Sequence, residues 1–169
     1  MTDTSIRRAT LDDLDTVAPL FDAYRRFYHQ PGDVDRARDY LRERMQRNES
    51  VVLVAHRDGT PAGFTQLYPI FSSVRTVRTF LLNDLFVAEG ARRHGVARAL
   101  LDAATDFARE QGAAGLMLET MADNGPARAV DVAGLVVEAA IGVEQRREAV
   151  EVVERRAADR RVGHVRRCP

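Results

Sequence analysis

The chain has 169 residues, no net charge at neutral pH, and 45% apolar against 30% charged residues. That length suffices for one domain with its own core, and the balanced charge gives no argument for a nucleic-acid partner. No apolar run approaches the roughly 18 residues of a membrane span, the first residues lack the apolar centre of a signal peptide, and a single cysteine, Cys168, makes neither a disulfide framework nor a cysteine metal site. A cytoplasmic protein with no membrane or nucleic-acid partner is therefore expected. His29, His56, His94 and His164 are scattered without ligand spacing, so no metal is expected either.

Ser5 to Thr10 reads as a short first strand, and Thr10 as an N-cap followed by the first-turn acids Asp12 and Asp13. Leu11, Leu14, Val17, Leu20, Phe21, Tyr24, Phe27 and Tyr28 then recur at helical spacing until Pro31-Gly32. A second helix is predicted over Asp33 to Arg47. Val51 to Ala55 is a buried strand, Asp58-Gly59 a hairpin turn, and Gly63 to Tyr68 the returning strand. Another strand ends at Val87 after starting near Phe80. A helix follows from about Val96, with Val96, Leu100, Leu101, Ala104 and Phe107 on one face and Gly112 as its C-cap. Leu116 to Met121 is a further strand. The order β-α-α-β-β-β-α-β predicts a mixed α/β domain.

Composition changes sharply towards the end. All 25 basic residues are arginine, and all four tyrosines and seven phenylalanines lie between Phe21 and Phe107. Aromatic side chains dominate core burial, so residues 1–124 are predicted to form the domain and residues 125–169 an atypical C-terminal segment. Its Ala, Glu and Arg favour helix, and helix or disorder is expected from about Glu144 to Arg160. With no closing strand expected, the sheet edge at Leu116 to Met121 would stay open, and a homodimer could form through it.

The stretch "EGARRHGVARALLDAATDFAREQG", from Glu89 to Gly112, sits between a strand and an apolar helix. Helix N-termini expose unpaired N–H groups and the positive end of the dipole, so such a loop can cradle a phosphate. Gly95 lets the backbone approach closely, Ala97 leaves room, and Arg92 and Arg93 add cationic donors. A solvated loop that happens to hold an arginine pair is the plainer alternative.

"LNDLFVAEGARRHGVARALL" resembles the acetyl-CoA signature of the GNAT superfamily of N-acetyltransferases, Arg/Gln-x-x-Gly-x-Gly/Ala, which Arg92, Gly95 and Ala97 match. The resemblance runs from about Ile6 to Asn124. It implies the GNAT fold, a central, mostly antiparallel sheet flanked by helices, and acetyl-CoA as co-substrate. It further implies that the backbone of Leu85, Phe86 and Val87 holds the pantetheine arm and that the N–H groups of Arg92, Arg93, His94, Gly95, Val96 and Ala97 hold the pyrophosphate. Arg98 could reach an outer phosphate or be a solvated helix residue. Asn124 matches an asparagine common near the cofactor, or is a helix cap. The implied chemistry is direct attack of a small-molecule primary amine on the thioester, with donors stabilising the developing oxyanion.

An ammonium must lose a proton before it attacks, so a carboxylate or water chain is needed. Asp84 is the catalytic candidate, with a structural carboxylate paired to an arginine as the alternative. Asn83 is a weaker candidate near the acceptor. Tyr24, Phe27 and Tyr28 could wall the acceptor site, although their helical spacing favours the core. The resemblance breaks after Asn124. Asp131 stands where the family usually has a tyrosine that protonates the departing thiolate, and an ionised aspartate is a poor proton donor. The break is read as a shifted reading frame or as a genuine helical extension. An impaired domain that binds acetyl-CoA or a protein partner is the rival to a working enzyme. A nucleotide-binding module is weakened by the absence of any lysine for a Walker loop.

Overall fold

A computed structural model describes residues 3–120 and 135–139 of the chain. In chain order the elements are β1 (Thr4–Arg8), a 3-10 turn (Leu11–Asp13), α1 (Leu14–Phe27), α2 (Val34–Gln46), β2 (Val51–Arg57), β3 (Thr60–Ser72), β4 (Val77–Val87), a second 3-10 turn (Glu89–Ala91), α3 (Val96–Glu110), β5 (Leu116–Thr120) and β6 (Leu135–Ala139). The strands form one sheet in sequence order. β1 to β4 are antiparallel neighbours, while β5 is parallel to β4 and β6 to β5.

The sheet is covered on both faces. Successive side chains of a strand point to opposite faces, and β2 shows it: Val52 and Val54 join Leu14, Val17, Phe21, Ala37 and Leu41 of α1 and α2. Leu53 and Ala55 join Val96, Leu100, Leu101, Ala104 and Ala108 of α3. A strand buried on both faces reads as an unbroken apolar run, as Val51 to Ala55 does.

Thr10 opens the 3-10 turn rather than α1 itself. The Asp13 carboxylate accepts from the Thr10 backbone N–H at 2.8 Å and from Arg7 Nη1 and Nη2 at 2.7 and 2.6 Å, tying β1 to the start of the helical layer. Asp33 caps α2 by accepting from the Arg36 N–H at 2.9 Å. Asp58 and Gly59 both have positive φ, 51° and 76°, as the tight β2–β3 hairpin requires.

Three elements differ from expectation. β3 and β4 pair as far as Ser72 with Val77, well beyond the strands predicted at Gly63–Tyr68 and Phe80–Val87. Pro69 lies inside β3 although it lacks an N–H to donate. It is tolerated because β2 pairs no further than Leu67, so Pro69 has only one neighbouring strand. Tyr28 and Phe27 are 42% and 63% exposed and are not core. Finally, the edge of β5 is not open. β6 pairs with it over Leu116–Thr120, and the β-branched Val136 and Val137 suit a strand. The helix or disorder expected at Glu144–Arg160 lies outside the described residues.

Candidate functional site

β4 carries a bulge. Asp84 pairs with Gln66 and Leu82 with Leu67, leaving Asn83 as an extra residue without a partner. One inserted residue switches the faces of everything after it. Phe80 and Leu82 face α3, but so do Leu85 and Val87 beyond the bulge. Phe86 faces α1 and α2, and so does Asp84, which hydrogen-bonds Tyr24 of α1. The hydroxyl of fully buried Thr65 donates to the Asp84 backbone carbonyl at 2.8 Å, so the disrupted ladder keeps a partner there.

The bulge also ends the pairing with β5. The two parallel strands are in register at Phe80–Leu116, Leu81–Met117 and Leu82–Leu118 and no further, although β4 continues to Val87 and β5 to Thr120. Among the described residues, β5 makes no pairing with Leu85, Phe86 or Val87. Gly63 of β3 lies directly opposite this segment, paired with Val87. A Cβ there would come within 2.5 Å of the Phe86 carbonyl oxygen, so this close backbone approach requires glycine.

The 3-10 turn after β4 delivers the chain to the N-terminus of α3. Arg93 and Gly95 take positive φ, 64° and 79°. A Cβ on Gly95 would meet nothing within 4 Å, so this glycine faces open space. The first helical bond runs from the Ala99 N–H to the Gly95 carbonyl at 3.0 Å. The amides of Val96, Ala97 and Arg98 thus have no acceptor one turn back, the usual condition of a helix start. Arg92 Nε donates to the Val87 carbonyl at 3.2 Å and so ties the loop to the end of β4. Arg93 and His94 are exposed beside it. Arg98 is occupied elsewhere: its Nε lies 3.1 Å from both Asp102 oxygens, an exposed pair one turn along α3. That fits its reading as a solvated helix residue. Asn124 and Asp131 lie outside the described residues.

Asp84 and Asp22 are the two buried carboxylates among the described residues. Asp22 is held by Arg26 at 3.1 Å, Arg25 at 3.6 Å and the Asp33 N–H at 2.7 Å. Asp84, 6% exposed, has no cation beside it among the described residues, and so is not the arginine-paired carboxylate of the plainer reading. Its partners are neutral: Asn83 Nδ2 at 3.1 Å and the Tyr24 hydroxyl. Burial raises its pKa, and these two hydrogen bonds only partly oppose that. Tyr24 in turn is pushed up, first by burial and then by the negative charge of Asp84, so it stays protonated and donates.

The same face carries residues that sequence reasoning missed. Gln66 is fully buried and its Nε2 donates to Ser50 Oγ at 2.7 Å. The Tyr68 and Tyr40 hydroxyls are 2.8 Å apart. The available signal was the alternation Phe64, Gln66, Tyr68 on one face of β3, with a glutamine in an otherwise apolar strand.

A mainly antiparallel sheet with a bulged central strand, followed by an open helix start, is the arrangement found in solved acetyltransferase structures. A solved structure described as a probable acetyltransferase superposes with a TM-score of 0.70 at 44% identity, over 73% of this chain and 83% of that one. The ribosomal-protein-alanine N-acetyltransferase of Brucella melitensis biovar Abortus 2308 superposes with a TM-score of 0.64 at 25% identity, over 75% and 86% of the two chains. The uncharacterized N-acetyltransferase YhfO of Bacillus subtilis (strain 168) is 46% identical over 126 residues, 75% of this chain and 85% of that protein. The sequence model of the Acetyltransferase (GNAT) family matches residues 15–130. The chain belongs to that family and is an N-acetyltransferase.

Proposed function

We propose that the protein transfers an acetyl group from acetyl-CoA to the primary amine of a small molecule, both bound at once, with Asp84 receiving the amine. The observation that carries this reading is a buried carboxylate with neutral partners only, turned by the β4 bulge towards Tyr24. A buried charge without a counter-ion is costly, and an ammonium group supplies the missing partner.

The residues present fit the co-substrate. The amides at the start of α3 and the open space at Gly95 suit a pyrophosphate, with Arg92, Arg93 and His94 at the rim. Leu85 to Val87, paired with β3 on one side and with no described strand on the other, suit an extended arm that would lie against them. When bound, acetyl-CoA supplies an acyl carbon activated as a thioester. Asp84 holds the ammonium by a charge-assisted hydrogen bond, and its raised pKa lets it take the proton that the amine must lose. Tyr24, kept protonated, orients the carboxylate. Asn83 fixes its other side, and Tyr28 stands at the entrance.

The test is CoA release with a panel of amines, by the wild type and by Asp84→Asn. Release that depends on a primary amine and falls on the order of a hundredfold in the variant supports the reading. Unchanged turnover in a folded Asp84→Asn protein sinks the role of Asp84.

A further inference from the structure

All four tyrosines of the chain gather on the Asp84 side of the sheet. Tyr24 hydrogen-bonds Asp84 and Tyr28. Its ring lies 5.1 Å from that of Tyr28, 5.9 Å from Phe64 and 6.4 Å from Phe86. Tyr68 feels the charge of Asp84 and joins its hydroxyl to Tyr40. Tyr28 and Tyr40 are 42% and 40% exposed, so this aromatic group runs from the buried carboxylate to the surface.

The neighbouring acids are already neutralised. Asp22 is paired with Arg25 and Arg26, Asp39 with Arg42, and Glu43 and Glu49 with Arg44. The Arg44 guanidinium lies 5.4 Å from the Tyr40 ring centroid, and its positive charge reaches the Tyr68 hydroxyl. The group therefore offers one uncompensated negative charge, at its inner end, and only paired charges at its outer end.

We propose that the acceptor is an amine with a single positive charge on an apolar body of about aromatic size, its ammonium at Asp84 and its body against Tyr24, Tyr28 and Tyr68. The inference rests on the transfer reading above and narrows it. One ammonium gains both the carboxylate and the faces of tyrosine rings. An aromatic body gains ring contacts and buries its surface. A second ammonium on the same molecule finds no free carboxylate, since the neighbouring acids are already held by arginines. Polyamines and aminoglycosides are disfavoured for that reason, and a peptide N-terminus is disfavoured because its amide groups would be buried among rings without partners.

The experiment measures kcat/KM for 2-phenylethylamine, ethylamine, spermidine, kanamycin and an alanyl dipeptide with the full chain and acetyl-CoA. The expected order places 2-phenylethylamine at least about tenfold above spermidine, kanamycin and the dipeptide. Tyr28→Ala, at a partly exposed position, should raise the KM for 2-phenylethylamine about tenfold and that for ethylamine by clearly less. Calorimetric titration of 2-phenylethylamine into the protein with CoA should show the same loss without turnover. Preference for spermidine, kanamycin or the dipeptide overturns the acceptor class while leaving acetyl transfer intact. Equal effects of Tyr28→Ala on both monoamines also overturn it. CoA release with none of the amines overturns the transfer reading and the class together.

Discussion

Asp84 pairs with Gln66 across β3 and β4, while Leu82, two residues earlier, pairs with Leu67, the direct neighbour of Gln66. That single extra residue, Asn83, turns Asp84 away from α3 and towards the tyrosines. It also coincides with the last pairing between β4 and β5 at Leu82 and Leu118.

The burial of Asp84 has a thermodynamic signature. Its pKa in the folded protein lies above the ordinary value of 3.8, so the folded state holds this proton more tightly than the unfolded state. Stability from this group is therefore present at low pH and declines as pH rises from about 4 through the folded pKa. Asp84→Asn removes the titration. Relative to the wild type, the variant should gain thermal stability between pH 4 and pH 8 while losing activity, and melting curves across that range check it.

Gly95 should separate fold from cofactor binding. Its φ of 79° is strained for any residue with a Cβ, at about 1–2 kcal/mol. Gly95→Val should fold with a loss of that order and bind acetyl-CoA at least tenfold more weakly. Calorimetry showing near-normal affinity in the folded variant would remove the α3 N-terminus from the site.

Two arginines near that loop should behave differently. Arg92 joins the loop to the Val87 carbonyl, so Arg92→Ala should weaken acetyl-CoA binding by about 1–2 kcal/mol. Arg98 is engaged with Asp102 on the surface of α3, and Arg98→Ala should change affinity by less than about 0.5 kcal/mol. Parallel titrations compare them.

Gly63→Ala should be destabilising in spite of its small size. The new Cβ would stand 2.5 Å from the Phe86 carbonyl oxygen, and a backbone atom in a paired strand cannot easily yield. A loss of about 1–3 kcal/mol is expected from denaturant unfolding, together with lower activity because β4 would shift.

Asp13 offers the opposite pH behaviour to Asp84. Hydrogen bonds from Arg7 and then from the Thr10 N–H hold its carboxyl well below 3.8. Its stabilisation is present above pH 4 and is lost as pH falls further. Asp13→Asn should cost about 1 kcal/mol at pH 7, since Arg7 is half exposed and its charge is screened. The difference from the wild type should close below pH 3.

The sequence by itself determined the elements, because apolar spacing and turn residues are local properties. Helical periodicity located α1, α2 and α3. Asp58-Gly59 located the β2–β3 hairpin, and the Arg92–Gly95–Ala97 pattern with its flanking elements located the open start of α3. Family membership was legible for the same reason, since the motif is contiguous. The tertiary structure decided what depends on residues far apart in the chain. It placed Gln66 against Asp84, 18 positions later, and so revealed the bulge. It left Tyr28 and Phe27 exposed at the C-terminal end of α1. It let Pro69 remain in a strand by ending β2 early, and paired β6 with an edge that composition alone had left open. The proposed role of Asp84 also rests on contacts between distant residues: among the described residues no arginine pairs with it, and Tyr24 and Asn83 are its partners instead.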